Sequence, residues 1–143
     1  MYKLICALAV FSYCVFAHST SVVDDEYVSI ESEYLHSIPA QDKLIIKQNV
    51  RVKFRDYLLK SQEAIIVFAK FNNVEKISVI EVPNSFVLIN LSNPHEIITA
   101  DSAVYSRDEM TLRLKGNVKI KRDGQFANVE NFTLKINPKN IGH

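Results

Sequence analysis

Residues 110–121 read MTLRLKGNVKIK, and this stretch decides the fold class. Apolar residues alternate in it with polar and basic ones on both sides of a central Gly-Asn pair. A period of two is typical of a strand with one buried face, whereas an amphipathic helix repeats its apolar residues at steps of three and four. We expect one buried face made of Met110, Leu112, Leu114, Val118 and Ile120, with basic side chains on the opposite face.

An earlier stretch repeats this pattern at an offset of 68 residues. Residues 46–53 read IKQNVRVK and align without a gap on residues 114–121, which read LKGNVKIK. At the same offset, Ala64, Ile66 and Phe68 fall on the apolar residues Phe132, Leu134 and Ile136. A single copy cannot bury its own apolar face, so we expect the two copies to stack in one domain.

The rest of the chain after residue 25 also favours strands. Turn signals separate the apolar runs, and Asp123-Gly124 between two alternating runs is the strongest hairpin signal. No convincing helical period occurs, so the residues predict an all-β sandwich or jelly roll. The further predicted strands are residues 27–32, 64–70, 76–82, 85–90, 98–105 and 132–136.

The N-terminus has the pattern of a secretory signal. Residues 4–16 are almost wholly apolar behind Lys3, and the run is shorter than the ~20 residues of a membrane-spanning helix. Small residues at Val15 and Ala17 predict cleavage after Ala17. An uncleaved anchor is the alternative, and mass spectrometry of the mature N-terminus distinguishes the two.

Four segments follow from this interpretation. We expect a cleavable signal peptide at 1–17, a flexible acidic N-terminus at 18–25, one β domain at 26–137 and a short tail at 138–143. Both cysteines, Cys6 and Cys14, lie in the predicted signal peptide. The mature chain would therefore contain no disulfide.

Composition argues against several classes of function. The 17 Lys and Arg nearly balance 16 Asp and Glu, without the basic excess of a nucleic-acid-binding protein. Three glycines are too few to favour a glycine-rich phosphate loop. The four histidines lack ligand spacing, so we expect no metal site. No nucleophile elbow or other catalytic constellation is present, so we expect neither an enzyme nor a cofactor.

Residues 98–105 and 110–118 together resemble the OstA-like repeat of the LptA family. The shared pattern is Ala100-Asp101, an aromatic residue at Tyr105, and an alternating strand that ends in Gly-Asn-Val. Ile30-Glu31-Ser32, with Asn49-Val50 nineteen residues after Ile30, is similar to the opening of mature family members. The resemblance extends over roughly residues 26–137 and includes middle strands at 74–89.

The resemblance implies an OstA-like β-jelly roll whose two antiparallel sheets open into a V-shaped trough. It further implies a periplasmic carrier of Gram-negative bacteria that moves lipopolysaccharide from the inner to the outer membrane. The lipid A acyl chains would lie in the trough, where each buried CH₂ gains ~0.8 kcal/mol. The residues assigned to this apolar trough are Ile46, Val50, Val52, Ile66, Phe68, Leu112, Leu114, Val118 and Ile120.

The family also implies partners. These are LptC-like inner-membrane and LptD-like outer-membrane β domains, and further copies of the chain in a head-to-tail oligomer. Terminal strands near 27–32 and 132–136 have no interior proline, so their edges are open to strand addition. Two alternatives stay open: an LptC-like membrane-anchored component of the same pathway, and a structural β-sandwich with no lipid ligand.

Overall fold

The structure, a computed structural model, describes residues 21–24, 28–38 and 42–136 of the 143-residue chain. The predicted segments 1–17 and 138–143 lie outside these ranges. Within them, no helix is long and apolar enough to cross a membrane. The strands of the described part are β1 (Ser21–Asp24), β2 (Ser29–Ser32), β3 (Tyr34–Ile38), β4 (Lys43–Lys53), β5 (Tyr57–Phe71), β6 (Val74–Val82), β7 (Phe86–Asn90), β8 (Glu96–Ala100), β9 (Ser102–Ser106), β10 (Thr111–Arg122) and β11 (Gln125–Lys135).

The strands form two antiparallel sheets that share their long members. Sheet I has the order β1-β2-β4-β5-β7-β8-β10-β11, and sheet II has the order β3-β4-β5-β6-β9-β10-β11. Strand β10, for example, pairs with β9 through residues 111–115 and with β8 through residues 119–122. The predicted all-β architecture is therefore confirmed.

The internal repeat is longer than the sequence alone indicated. Strands β2 to β5 form the first copy and strands β8 to β11 form the second, in the same order and at the same offset. Within each copy, the pairing between the two long strands, β4–β5 or β10–β11, shifts its register once. The shifts fall at Lys47/Val50 and at Lys115/Val118. In both copies the pair between these residues has positive φ, at 66° and 52° for Gln48 and Asn49 and at 85° and 48° for Gly116 and Asn117.

Each register shift is a corner at which a long strand passes from one sheet to the other. The Asp101 N–H donates to the Gly116 carbonyl at 2.9 Å, and Asn117 Nδ2 donates to the Asp101 carboxylate at 2.9 Å. In the first copy, the Glu33 N–H donates to the Gln48 carbonyl at 3.0 Å, and Asn49 Nδ2 donates to Glu33. The carbonyl of the first corner residue in each copy, Gln48 or Gly116, thus accepts a hydrogen bond from outside its ladder.

Two predicted turns are present as two-residue hairpin loops. Asp123 and Gly124 have φ of 49° and 83°, and Asn72 and Asn73 have φ of 54° and 65°. Two consecutive residues with positive φ match the twist of the flanking strands, and Asn, Asp and Gly are the residues that adopt this conformation at least cost.

Other boundaries differ from the prediction. Within the segment predicted to be flexible, Ser21–Asp24 instead forms β1, because β2 offers it an open edge for antiparallel pairing. The predicted strand at 98–105 is divided at Asp101 by the corner. Met110 lies just before β10 with φ of 52°, and its N–H donates to the Arg107 carbonyl at 3.2 Å, so it belongs to a turn and is only half-buried.

Candidate functional site

The predicted trough residues all belong to the interior between the two sheets. Seven of the nine are at most 1% exposed, and Phe68 and Ile120 are half-buried and pack against this core. Leu112 is buried while its neighbour Arg113 is exposed, so the predicted register of β10 is confirmed. The buried members are Ile46, Val50, Val52, Ile66, Leu112, Leu114 and Val118.

The interior is closely covered over most of its length. The rings of Phe54 and Tyr105 meet at 5.2 Å between centroids, and this contact joins the end of β4 to β9 in sheet II. Among the described residues, the buried side chains that carry polar groups are few, and the rest of the interior is aliphatic and aromatic. Such an interior can take an acyl chain without leaving polar atoms unpaired, provided that the sheets part to admit it.

The interior reaches the surface at β11. In the first copy, Val52 and Leu59 are fully buried. Their equivalents in the second copy are Ile120, which is half-buried, and Ala127, which is exposed. Val129, paired with Val118, is 40% exposed. The apolar inner face is therefore open at the β11 end of the sandwich.

Both sheets also have free edges. Sheets I and II both end on β11, and no other described strand pairs with the far side of β11. The opposite edges are β1 in sheet I and β3 in sheet II. The terminal strand predicted near 27–32 is thus an inner strand in sheet I, because β1 covers it.

One charged cluster was not anticipated from the sequence. Glu96 is 2% exposed and accepts hydrogen bonds from Asn90 Nδ2 at 2.6 Å and Arg122 Nε at 2.7 Å. Burial by itself raises the pKa of Glu96, but the hydrogen bonds from Asn90 and Arg122 outweigh it, and the net pKa is lowered. Burial, followed by the nearby charge of Glu96, raises the pKa of Tyr57.

This cluster joins the ends of β7, β8 and β10. The equivalent positions of Glu96 and Arg122 in the first copy are Val28 and Phe54, which are both buried in the core. The second copy therefore uses an ion pair where the first uses apolar packing. The Glu96 carboxylate is buried and hydrogen-bonded to Asn90 and Arg122, so it is not accessible to a substrate, and we interpret the cluster as structural.

Comparison with known proteins shows the fold. The chain is similar to the crystal structure of LptH from Pseudomonas aeruginosa, the LptA homologous periplasmic component of the conserved lipopolysaccharide transport device. The two share 12% sequence identity with a TM-score of 0.59, over 76% of this chain and 75% of that one. No family model matches the sequence, and no curated protein matches it. The predicted OstA-like β-jelly roll is confirmed at the level of the fold.

Proposed function

We propose that this protein is a periplasmic carrier that binds the acyl chains of lipopolysaccharide between its two sheets and passes the lipid toward the outer membrane. The observation that carries the proposal is the two-sheet interior, which is nearly free of polar groups and opens at β11. The fold that the chain shares with a lipopolysaccharide transport component supports the same function.

The energetics favour such a ligand. An acyl chain gains ~0.8 kcal/mol for each CH₂ that leaves water, and an aliphatic interior offers this burial without competing polar contacts. The buried side chains of Val50 and Val118 line the interior directly after the corners, where both sheets are within reach of one acyl chain, and buried Leu112 lies on the sheet II part of β10. Entry requires only that existing apolar contacts be exchanged for contacts with the lipid.

The free edges of the two sheets would provide the binding sites for the partners of this carrier. Strand β11 serves as the edge of both sheets, while β1 and β3 form the opposite edges. Addition of β11 of one copy to the β1 and β3 side of the next would be a heterologous contact that does not close on itself. The same edges would bind LptC-like and LptD-like β domains, and the apolar interior would continue from one molecule to the next.

Photo-crosslinking in cells tests the proposal. A photoreactive residue placed at Leu112 faces the interior, and we expect it to yield an adduct with lipopolysaccharide. The same residue at Arg113 is the matched control, since it is the next position on β10 and faces outward. Equal adducts at both positions, or none at Leu112 in a folded protein, would contradict the proposal.

A further inference from the structure

The outer face of sheet I carries two cross-strand rows that run side by side. Side chains in the rows point away from the interior, since their chain neighbours Leu59, Leu88 and Ile98 are fully buried. The first row is Glu31, Arg51, Lys60, Val87, Thr99, Lys119 and Asn128. The second row is Ser29, Lys53, Leu58, Ile89, Ile97, Lys121 and Phe126.

The charges of these rows are strongly one-sided. The rows hold five cations and a single carboxylate, Glu31. Arg51 and Lys60 are directly opposite on neighbouring strands, an arrangement of like charges that destabilises a sheet. In the described part of the chain, neither residue has an ion-pair partner within 4 Å.

Apolar side chains lie between the cations. Val87 and Ile97 are each 37% exposed in the middle of the rows, and Phe126 is 74% exposed at the end of the second row. Strands β4 and β10, which carry the outer cations, are four strand spacings apart, or about 19 Å. The surface is therefore a central apolar strip with cations on both sides.

Two clefts open on this face beside the cations. One has a volume of about 790 Å³, and its charged lining residues are the cations Arg51, Lys60 and Lys119 and the carboxylate Asp101. The other has a volume of about 330 Å³ and is bordered by the cations Arg51 and Lys53 and the carboxylate Glu31. Cations outnumber the carboxylate in each cleft, so both clefts favour the phosphate of a lipid headgroup while the surrounding side chains reach the membrane interface.

We propose that the outer face of sheet I docks on an anionic membrane surface. Four of the five cations are lysines, whose flexible stems suit a fluid array of headgroups and whose type is depleted at the centre of protein–protein interfaces. The cations contact lipid phosphates, and the apolar strip lies at the level of the headgroups. Docking of this kind uses the outside of the sandwich, so it does not rest on lipid binding in the interior.

Sedimentation with vesicles tests the proposal, using the protein as it is processed and purified from cells. We expect the protein to sediment with phosphatidylcholine vesicles that contain about one third phosphatidylglycerol, and to stay in solution with pure phosphatidylcholine. Raising the salt concentration should release it, because exposed charges are screened. Sedimentation with both kinds of vesicle, or with neither, would overturn the proposal.

Matched variants locate the surface. The double variant Lys119→Gln/Lys121→Gln should weaken vesicle binding by about 25-fold, or about fivefold for each cation near the surface. The control Lys115→Gln/Lys135→Gln changes two exposed lysines on the sheet II side of the corner and should bind as the wild type does. An equal loss in both double variants, or no loss in the first, would refute the assignment.

A second pair of variants tests the apolar strip. Ile97→Ser/Phe126→Ser should also weaken vesicle binding, whereas Val104→Ser, at a 42% exposed valine on sheet II, should not. All these side chains are exposed, and an unchanged circular dichroism spectrum verifies that each variant is folded. If the serine and glutamine variants left vesicle binding unchanged, the membrane would bind somewhere other than the outer face of sheet I, and this outcome would overturn the proposal.

Discussion

Single residues at the two corners explain why a long strand can serve both sheets. The sequence places an Asn at each corner, and Asn is one of the few residues that tolerate positive φ. It did not predict that Glu33 and Asp101 would each accept a hydrogen bond from the corner, since each lies 16 residues from its Asn. Contacts at such a separation depend on the pairing of strands and leave no local signal in the sequence.

Replacing Gly116 with Ala tests the corner of the second copy. A Cβ at this position would lie 2.9 Å from the Cβ of Asp101, and φ of 85° is unfavourable for Ala. We expect the free energy of unfolding to fall by about 2–3 kcal/mol, measured by urea denaturation. Gly124→Ala is the control, because φ is similar but no atom lies within 4 Å. Its cost should be about 1 kcal/mol; equal losses would contradict the role of the Asp101 contact.

The Glu96 cluster predicts that the free energy of unfolding depends on pH in the acidic range. Because the pKa of Glu96 is lowered in the folded state, its stabilisation is present above the ordinary value of 4.5 and disappears as the pH falls through the lower folded pKa. Glu96→Gln should therefore cost about 1–2 kcal/mol in unfolding free energy near neutral pH and much less near about pH 3. Exposed Glu130 provides the control Glu130→Gln, for which little change is expected at either pH. A cost for Glu96→Gln that did not vary with pH would refute this account.

At the scale of the strands, the sequence predicted those with a clear alternation and a turn residue at each end. It underestimated β5, because the period breaks around Ser61, where the Ser61 hydroxyl donates to the Glu63 carbonyl at 3.2 Å and the strand changes face. It missed β1 and β3, which are short and gain their order by pairing with β2 and β4. Short edge strands of this kind are ordered by pairing with the strand beside them, so their own residues give only a weak strand signal in the sequence.

The free edge of β11 predicts self-association. A lysine that points inward from an edge strand prevents another strand from pairing with it. Val129→Lys should therefore keep the protein monomeric, while the wild type should associate as its concentration rises in sedimentation velocity. Asn128→Lys adds the same charge at the next residue, on the outer face, and should associate as the wild type does. A monomeric wild type at high concentration would contradict this prediction.

At the scale of the whole molecule, the repeat predicted that two copies stack in one domain. The alternation in β4 and β10 also correctly predicted which of their side chains face the interior. The pairings that join the two copies into one sandwich, β5 with β7 and β6 with β9, could not be predicted, because the paired residues are distant in sequence. The covered state of the interior was equally beyond the sequence. The same alternation produces a closed core or an open trough, and only the separation of the sheets distinguishes them.

A covered interior predicts that lipid binding competes with packing between the sheets. Opening would separate Phe54 from Tyr105, so weaker packing at this contact should favour the open state. Phe54→Leu should lower the free energy of unfolding by about 1 kcal/mol and strengthen the apparent affinity for lipopolysaccharide by about fivefold, because the competent state becomes more populated. Titration with fluorescent lipopolysaccharide measures the affinity. Gly124→Ala lowers stability by a similar amount away from the interior, and its affinity should stay at the wild-type value. If both variants bound equally tightly, parting of the sheets would not limit binding, and acyl chains would have to enter through the β11 end alone.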